Sequence, residues 1–457
     1  MKSVSSRTLA GSVLAGVLLI SLAACDKGSP LSNASKEASP AAQRSSVAED
    51  SLRLSVLREA ALKYGLVRPR EMEVVGVSAQ QEVGGLLFAS PLLSFNGTIS
   101  CQDCHLDQFG SGDGLPNAIG VGGVGHGLAR MHSGGRILPR NVRPLWGVGG
   151  MGFNSFFSDG RVELIDGKVV SQFGDKVPSN DPMVVAVHLP PAEIREMIID
   201  TPDLRDEMAK EDVGIADGIY AEIANRVRSD PKLGGVLAKA YGKPAEAISF
   251  DDISDALAQF IRHKFRVRPT RFHKFVFDGG SLNQSELNGG IIFYGRGRCV
   301  ACHNGAYFSD FRYHAIAFPQ AGFGKNGFGI DEGHYNVTLD PKDRFLFRTS
   351  PLFNLSKTAP YSHSGSVMTV EQAIVAHFDP LRLADPAKMS IRARADFFQR
   401  LGVAAQETLP SALNDEDVSD LKAFLANAST FAVFAAISAT RSSSLASASS
   451  SSSCNSI

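Results

Sequence analysis

The chain has 457 residues, which is enough for two or three domains with sizeable hydrophobic cores. Hydrophobic residues make up 44% of the chain and charged residues 20%, proportions that are typical of soluble globular proteins. Because the formal net charge at pH 7 is -1, the composition gives no reason to expect a nucleic-acid partner.

The first 25 residues have the pattern of an export signal. Lys2 and Arg7 supply positive charge, and the apolar run that follows is too short for a convincing membrane-spanning helix. The letters "LAAC" end at Cys25 and resemble a bacterial lipobox, which makes lipidated Cys25 the expected mature N-terminus. An ordinary cleavable signal is the alternative. We expect a periplasmic protein held by a lipid anchor, with Asp26 favouring the inner membrane.

Both ends of the exported chain lack a periodic pattern of apolar residues. Residues 26–50 are rich in Ser, Ala and Lys and predict a flexible tether. The serine-rich residues 431–457 predict a disordered tail. Between them the chain predicts a largely helical body broken by glycine-rich loops.

The clearest helical pattern is "SFDDISDALAQFIRHKF". Its apolar residues Ile253, Leu257 and Ile261 fall on one helical face. Ser249 and Asp252 resemble a capping box at its start. We therefore predict a helix that begins directly after Ser249.

A glycine-containing apolar segment occurs twice, and each copy precedes a cysteine pair. "EVGGLLF" over residues 82–88 comes before "CQDCH" at 101–105, and "LNGGIIF" over residues 287–293 comes before "CVACH" at 299–303. Each copy predicts the end of an apolar helix that leads into a cysteine-containing turn. The repeat predicts two similar domains in tandem.

The two Cys-x-x-Cys-His motifs predict two covalently bound haem c groups. Two thiols three positions apart on a helical turn can reach the two vinyl groups of one haem, and the next histidine then binds the iron. The thiols are Cys101 and Cys104 in the first motif, and Cys299 and Cys302 in the second. A thioredoxin-type pair does not require the histidine, and about 195 residues separate the pairs, far beyond zinc-site spacing. The axial ligands are then His105 and His303.

The sixth iron ligands decide whether a small molecule can bind. For the first haem the candidate is His126 in the glycine-rich "GVGHGLAR", and a loop histidine without a ligand role is the alternative. For the second haem the candidates are His377 in "AIVAHFDP" and Met368 in "SVMTVEQ". Each of these two residues taken alone also fits a packing role.

From Ser78 to Ala426 the chain resembles the bacterial dihaem cytochrome c peroxidase family, which includes a MauG-like branch. The resemblance lies in "CQDCH" followed by "GDGLP", and in "PRN", "SDGR", "ALAQFIR", "CVACHNGAYFSD" and "FRTSPLFNLSKTAPYSHSGSVMTVEQAI". It implies a mostly α fold of two tandem cytochrome c-like haem domains, which we place at residues 51–280 and 281–430.

The resemblance also implies roles for the iron ligands. His105 would hold a peroxide-reactive haem, and His303 an electron-transfer haem. His126 falls where many of these peroxidases place a displaceable distal histidine. His377 falls near the slot of a distal methionine, a departure that would lower the potential of the second haem.

Glu193 in "LPPAEIREM" matches the distal glutamate of the family. A positioned carboxylate can move a proton between the two oxygens of peroxide. The residues alone favour a plainer interpretation, because Pro191 suits the first turn of a helix and an acidic neighbour suits its dipole.

Two more features follow from the resemblance. It implies a calcium ion between the haems, bound by the Asn141 side chain and by the backbone carbonyls of Thr358 and Pro360, and such oxygen ligands suit calcium. Polar residues in turns are the alternative. The family usually has tryptophan where this chain has Ser158, so transfer between haems would run through Trp146 or Phe157, or directly.

The activity implied is reduction of hydrogen peroxide to water with electrons from a small cytochrome c or a cupredoxin. A MauG-like oxidase that modifies a partner protein is the second hypothesis. The third is a dihaem electron carrier without enzymatic activity. A homodimer is left open.

Overall fold

The computed structural model describes residues 40–199, 213–325, 329–407 and 413–431. Cys25, most of the predicted tether and the tail from residue 432 onward lie outside the described residues. From Asp50 onward the described residues form one compact unit. The haem motifs both belong to the unit that begins at Asp50.

Helices outweigh strands by far among the described residues. The α-helices are α1 (Pro40–Lys63), α2 (Ser78–Phe88), α3 (Leu128–Met131), α4 (Pro182–His188), α5 (Val213–Ser229), α6 (Leu233–Tyr241), α7 (Phe250–Lys264), α8 (Arg271–Phe277), α9 (Gln284–Tyr294), α10 (Tyr335–Thr338), α11 (Val370–Ala376), α12 (Ile391–Ala404) and α13 (Asp415–Ala428). The strands are β1 (Ser155–Phe156), β2 (Val162–Ile165), β3 (Lys168–Ser171), β4 (Tyr313–His314) and β5 (Phe347–Arg348).

The first glycine pair lets α2 pack closely against α7. A Cβ atom added to Gly84 would lie 2.0 Å from the carbonyl oxygen of Ala256, and one added to Gly85 would touch the Phe260 ring at 3.0 Å. Only glycine permits this approach, because such distances are far inside van der Waals contact. The pair therefore fixes the helix that precedes the first cysteine motif.

The second glycine pair does the same for α9 and α13. A Cβ on Gly289 would lie 2.0 Å from the carbonyl oxygen of Asp420, and one on Gly290 would meet Leu57 and Phe424. Each cysteine motif thus follows a helix seated on a second helix through two glycines. This repeated unit bears out the tandem arrangement, and the boundary predicted near residue 280 falls between α8 and α9.

Two small antiparallel sheets position loops beside the haem motifs. One has the order β1-β2-β3, with Phe156 opposite Val162, so the "SDGR" residues form the turn between β1 and β2. The other pairs β4 with β5, with Tyr313 opposite Arg348. These turns and strands place buried charged side chains near both motifs.

The structure tests several predicted boundaries of helices and segments. The helix α7 begins after Ser249, whose hydroxyl accepts from the backbone N–H of Asp252, which confirms the capping box. The helix α1 already begins at Pro40, so residues 40–50 are helical, a correction to the predicted tether that fits their good helix formers. Phe431 is only 4% exposed and packs against Trp146, so it belongs to the folded body and not to the predicted tail.

Among the described helices, none has both the length and the apolar character needed to cross a bilayer.

Candidate functional site

The first cysteine motif forms a short 3-10 turn at the edge of a cavity. Cys101–Asp103 make the turn, and the Asp103 carboxylate accepts 2.8 Å hydrogen bonds from the backbone N–H and hydroxyl of Ser100. Cys101, Cys104 and His105 line a largely apolar cavity of about 510 Å³. Its volume lies within the roughly 300–1,000 Å³ of typical cofactor pockets.

His105 is prepared to bind a metal through one ring nitrogen. Its Nδ1 lies 2.9 Å from the carbonyl oxygen of Ser111, which fixes Nδ1 as the protonated nitrogen. Burial lowers the pKa of His105 to about 4, against a smaller opposing effect of that carbonyl. The imidazole is therefore neutral at pH 7 and leaves Nε2 free, as a metal ligand requires.

Glu193 faces the same cavity as His105. It ends the short 3-10 turn Pro190–Ala192 in an extended conformation, so it does not stand at the start of a long helix as the plainer interpretation requires. Its Oε1 accepts a 2.6 Å hydrogen bond from Nη1 of Arg161. Burial raises the pKa of Glu193, but Arg161 and Lys325 outweigh that effect and lower it, so the carboxylate is ionised at neutral pH.

A buried ionic network supports Arg161. Asp159 is fully buried and accepts hydrogen bonds from Arg161 at 3.0 Å and from Arg140 at 2.6 Å. Arg140 also binds both carboxylate oxygens of Asp331, at 2.7 and 2.9 Å. Burial opposes ionisation of Asp159, yet the two arginines hold its pKa well below the usual value. The "PRN" and "SDGR" segments thus fix the orientation of Glu193.

A second carboxyl group, Glu196, also lines the first cavity. Burial, and then the negative charge of Glu193, raise the pKa of Glu196 to about 7. One cavity therefore holds an ionised carboxylate and a carboxyl that keeps its proton up to about neutral pH. Glu196 was not among the residues predicted from the sequence, where its only signal was the spacing of three positions from Glu193.

The second cysteine motif lines another cavity, of about 450 Å³. Cys299, Cys302 and His303 stand at its wall, and His377 from the C-terminal end of α11 lines it too. The Nδ1 atom of His303 lies 2.9 Å from the carbonyl oxygen of Phe308, and that of His377 lies 2.7 Å from the carbonyl oxygen of Ala373. Both Nε2 atoms are therefore left for another partner.

The rings of His303 and His377 are spaced to hold one metal ion between them. Their centroids lie 6.3 Å apart, at an interplanar angle of 60°. An imidazole nitrogen binds a metal at about 2 Å, so two rings at this separation leave room for a single ion. Burial lowers the pKa of both histidines, which keeps them neutral as ligands. The residues present thus fit a six-coordinate haem iron.

Residues 78–280 match the model of a protein family described as di-haem cytochrome c peroxidase. This match and the relatives described below support the dihaem cytochrome c peroxidase/MauG family for the chain. The chain is an oxidoreductase of the peroxidase type, and the family supports two haem c groups, for which the two cysteine motifs are the predicted attachment sites.

Individual relatives from both branches of the family are similar to the chain. The cytochrome c551 peroxidase of Pseudomonas aeruginosa is 25% identical over 300 residues, covering 65% of this chain and 70% of that protein. The methylamine utilization protein MauG of Methylorubrum extorquens is 24% identical over 300 residues, covering 65% of this chain and 67% of that protein.

Solved structures show the same fold. The diheme peroxidase BthA of Burkholderia thailandensis aligns with a TM-score of 0.57 at 20% identity, over 80% of this chain and 89% of that one. A MauG-like protein associated with microbial copper homeostasis aligns with a TM-score of 0.55 at 22% identity, over 80% and 92% of the two chains. The mostly α fold of two tandem haem domains is therefore confirmed.

Two candidate ligands lie away from the two cavities. His126 is exposed and does not line the first cavity. Its glycine-rich loop is held by Arg130, which is 1% exposed and donates to the carbonyl oxygens of Ile119, Gly120 and Gly123. Met368 is 53% exposed and does not line the second cavity, so the structure favours His377 over it.

The residues expected to bind calcium lie together beside the second cavity. Asn141, Thr358 and Pro360 all line it, and the Asn141 amide nitrogen lies 2.7 Å from the carbonyl oxygen of Pro360. Rotating the amide by half a turn would present its oxygen instead. The oxygen donors suit calcium in kind.

The aromatic residues expected to connect the haems lie on different cavities. Ser158 lines both cavities, Phe157 lines the first and Trp146 the second. The Trp146 Nε1–H donates to the carbonyl oxygen of Gly110 at 2.8 Å, and its ring packs edge-on against Phe265 at 5.3 Å between centroids. Trp146 is thus held rigidly at the wall of the second cavity.

Proposed function

We propose that this enzyme reduces hydrogen peroxide to water in the cavity of the first cysteine motif, with electrons from a small cytochrome c or a cupredoxin. The observation that carries the proposal is Glu193, an ionised carboxylate that Arg161 fixes at 2.6 Å and that faces the cavity of His105. A haem bound there supplies an iron that exchanges electrons and can bind a small ligand.

The side chains of the cavity supply the proton chemistry. Glu193 can take a proton from one oxygen of peroxide and return it to the other, because it is ionised and held in one orientation. Glu196 still carries a proton near neutral pH and can supply it as electrons arrive. The reaction consumes two electrons and two protons for each peroxide and yields two waters.

Binding of cyanide distinguishes this proposal from an electron carrier. If the first haem is open to small ligands, cyanide and peroxide should both change its absorption spectrum, and the second haem should not respond. A protein in which neither haem binds cyanide in any redox state would be a carrier with two saturated irons.

We propose His105 and His303 as the iron ligands next to the cysteines, and His377 as the second ligand opposite His303. The facing rings, 6.3 Å apart, support this ligand set. Replacing His377 with alanine should convert the second haem from six-coordinate low-spin to high-spin, with the absorption and electron paramagnetic resonance spectra as readout. Met368→Leu, on the exposed surface, should leave both spectra unchanged; the reverse pattern would make Met368 the ligand.

A MauG-like oxidation of a partner protein is the second candidate. The pair of His303 and His377 favours it, because two histidines give a lower potential than histidine with methionine and suit an electron-accepting peroxidase less well. Ser158 in the tryptophan slot weighs against a simple version. A neighbouring protein that gains an oxidative modification only when peroxide and the active enzyme are both present would favour this candidate.

We propose one calcium ion at Asn141, Thr358 and Pro360, supported by the 2.7 Å contact between Asn141 and Pro360. Removal of calcium by a chelator should lower the melting temperature and alter the spectrum of the second haem, because the site borders that cavity. Re-addition of calcium should restore both, and magnesium should not. Purified protein without calcium and without response to the chelator would remove the ion from the account.

We propose a periplasmic location with a lipid on Cys25, supported by the lipobox-like "LAAC" and the preceding export pattern. Mass spectrometry of the mature N-terminus checks this. A diacylated or triacylated Cys25 is expected, and an unmodified N-terminus generated by cleavage at another position would contradict the anchor.

A further inference from the structure

The two haem cavities share a wall. The residues that line both are Asn141, Val142, Arg143, Pro144, Val148, Phe153, Ser158 and Arg348. Two of them are arginines and none is acidic. The wall therefore presents positive charge to both haem sites.

Arg143 forms no ion pair within the part of the chain that the structure describes. Its Nη1 donates to the hydroxyl of Ser158 at 2.6 Å. In contrast, Arg140 and Arg161 both bind carboxylate oxygens of Asp159. Burial lowers the pKa of Arg143 to about 10, so the side chain is still a cation at neutral pH. A buried cation is costly unless an anion pairs with it. The negative charge of Asp159 favours the charged form of Arg143, but no carboxylate of the described residues forms an ion pair with it.

Arg348, the other arginine of the wall, is already engaged. Its Nε donates to the carbonyl oxygen of Phe157 at 2.9 Å. Its guanidinium lies over the rings of Phe153 and Phe311, at 5.5 and 5.4 Å from their centroids. Cation–π contacts of this kind partly replace lost hydration. Of the two arginines in the wall, Arg143 is therefore the one whose charge and remaining N–H groups can bind a carboxylate.

The propionate groups of the haems can supply an anionic partner for Arg143. Each haem carries two propionate carboxylates, on the porphyrin edge opposite the vinyl groups that cysteines attach. A guanidinium matches a carboxylate in geometry and forms strong, charge-assisted hydrogen bonds with it. No acidic residue lines the shared wall to compete for Arg143.

We propose that Arg143 is a propionate-binding residue shared by the two haems, and that Ser158 orients it through the 2.6 Å hydrogen bond. A fixed positive charge then lies beside Ser158, the position at which the family usually has tryptophan. The proposal rests on the two bound haems and not on peroxide as the substrate.

The charge has a consequence for both haems. Reduced haem iron carries one positive charge less than oxidised iron, so a nearby cation favours the reduced form. Loss of the Arg143 charge should therefore lower the midpoint potentials of both haems. Ser158→Ala keeps the charge but loses its orientation, and should lower both potentials by a smaller amount.

The test is a potentiometric titration of the full dihaem protein, with haem content checked at two per chain in every variant. Arg143→Gln should lower both midpoint potentials and shift the propionate bending bands in the resonance Raman spectrum. Arg143→Lys should restore most of both effects, and Arg392→Gln, at an exposed position of α12, should change neither.

Potentials of Arg143→Gln equal to those of the parent protein, or a shift of one haem alone, would overturn the shared role. A lysine variant that behaves like the glutamine variant would remove charge as the cause. If Arg143→Gln fails to retain two haems, Ser158→Ala decides: a downward shift of both potentials supports the proposal and no shift overturns it. These readouts are separate from turnover, so a protein that never reduces peroxide can still show both shifts.

Discussion

Replacing Glu193 with glutamine should reduce the rate of peroxide turnover by about 10²–10⁴-fold, the usual contribution of a positioned acid–base group. Glutamine keeps the size of the side chain and can still accept the hydrogen bond from Arg161, but it cannot take up and return a proton. The measurement is steady-state oxidation of a reduced donor protein, with haem content and the visible spectrum determined on the same sample.

The matched control for this variant is Glu222→Gln. Glu222 lies on α5 with 54% of its side chain exposed, away from both cavities, so its variant should turn over at the parental rate. Parental turnover in Glu193→Gln, with both haems attached, would remove Glu193 from the mechanism. A loss of haem in that variant would instead assign it a structural role.

The second large effect concerns stability. Asp159→Asn should lower the free energy of unfolding by about 3–5 kcal/mol, because it leaves Arg140 and Arg161 buried with one partner charge fewer. Asp159 is fully buried, so water cannot reach the two guanidinium groups to compensate for the lost carboxylate charge. Chemical denaturation followed by circular dichroism measures the loss.

An exposed ion pair gives the comparison for Asp159→Asn. Asp278 pairs with Arg68 at 2.6 Å, but half of the Asp278 side chain is exposed. Asp278→Asn should therefore cost only about 0–1 kcal/mol. Equal losses in the two variants would show that the buried network contributes no more than a surface pair.

Local sequence signals anticipated the elements that depend on neighbouring residues. The capping box at Ser249 and Asp252 was readable because its partners are three positions apart. The segments that contain the glycine pairs predicted helices before both cysteine motifs, although only the structure shows how closely Gly84 approaches Ala256. Short-range chemistry of this kind is what periodicity and motif spacing report.

The parts of the site that the sequence missed depend on contacts between distant segments. Arg140 and Asp331 are 191 positions apart, and no local pattern pairs them. His126 was expected at the first haem because glycine-rich loops move easily, and its role as a ligand stays a prediction. The structure adds that the buried Arg130 donates to three carbonyl groups next to and within that loop. Nothing in the spacing of these residues indicates the burial of Arg130.

The sequence alone also could not distinguish between the two candidate ligands of the second haem. His377 and Met368 are nine positions apart on the same segment, and both residue types bind haem iron. The start of α11 at Val370 leaves Met368 on the surface and turns His377 toward His303. Residue type alone left both candidates open, and the position of each residue relative to α11 supports His377 as the proposed ligand.

The most direct test of the central claim is peroxide-dependent oxidation of a reduced small cytochrome c or cupredoxin by the purified dihaem protein. We expect sustained turnover, with two donor molecules oxidised for each peroxide consumed and with strong loss of rate in Glu193→Gln. Negligible turnover with every donor tested, although peroxide still changes the haem spectrum, would contradict it.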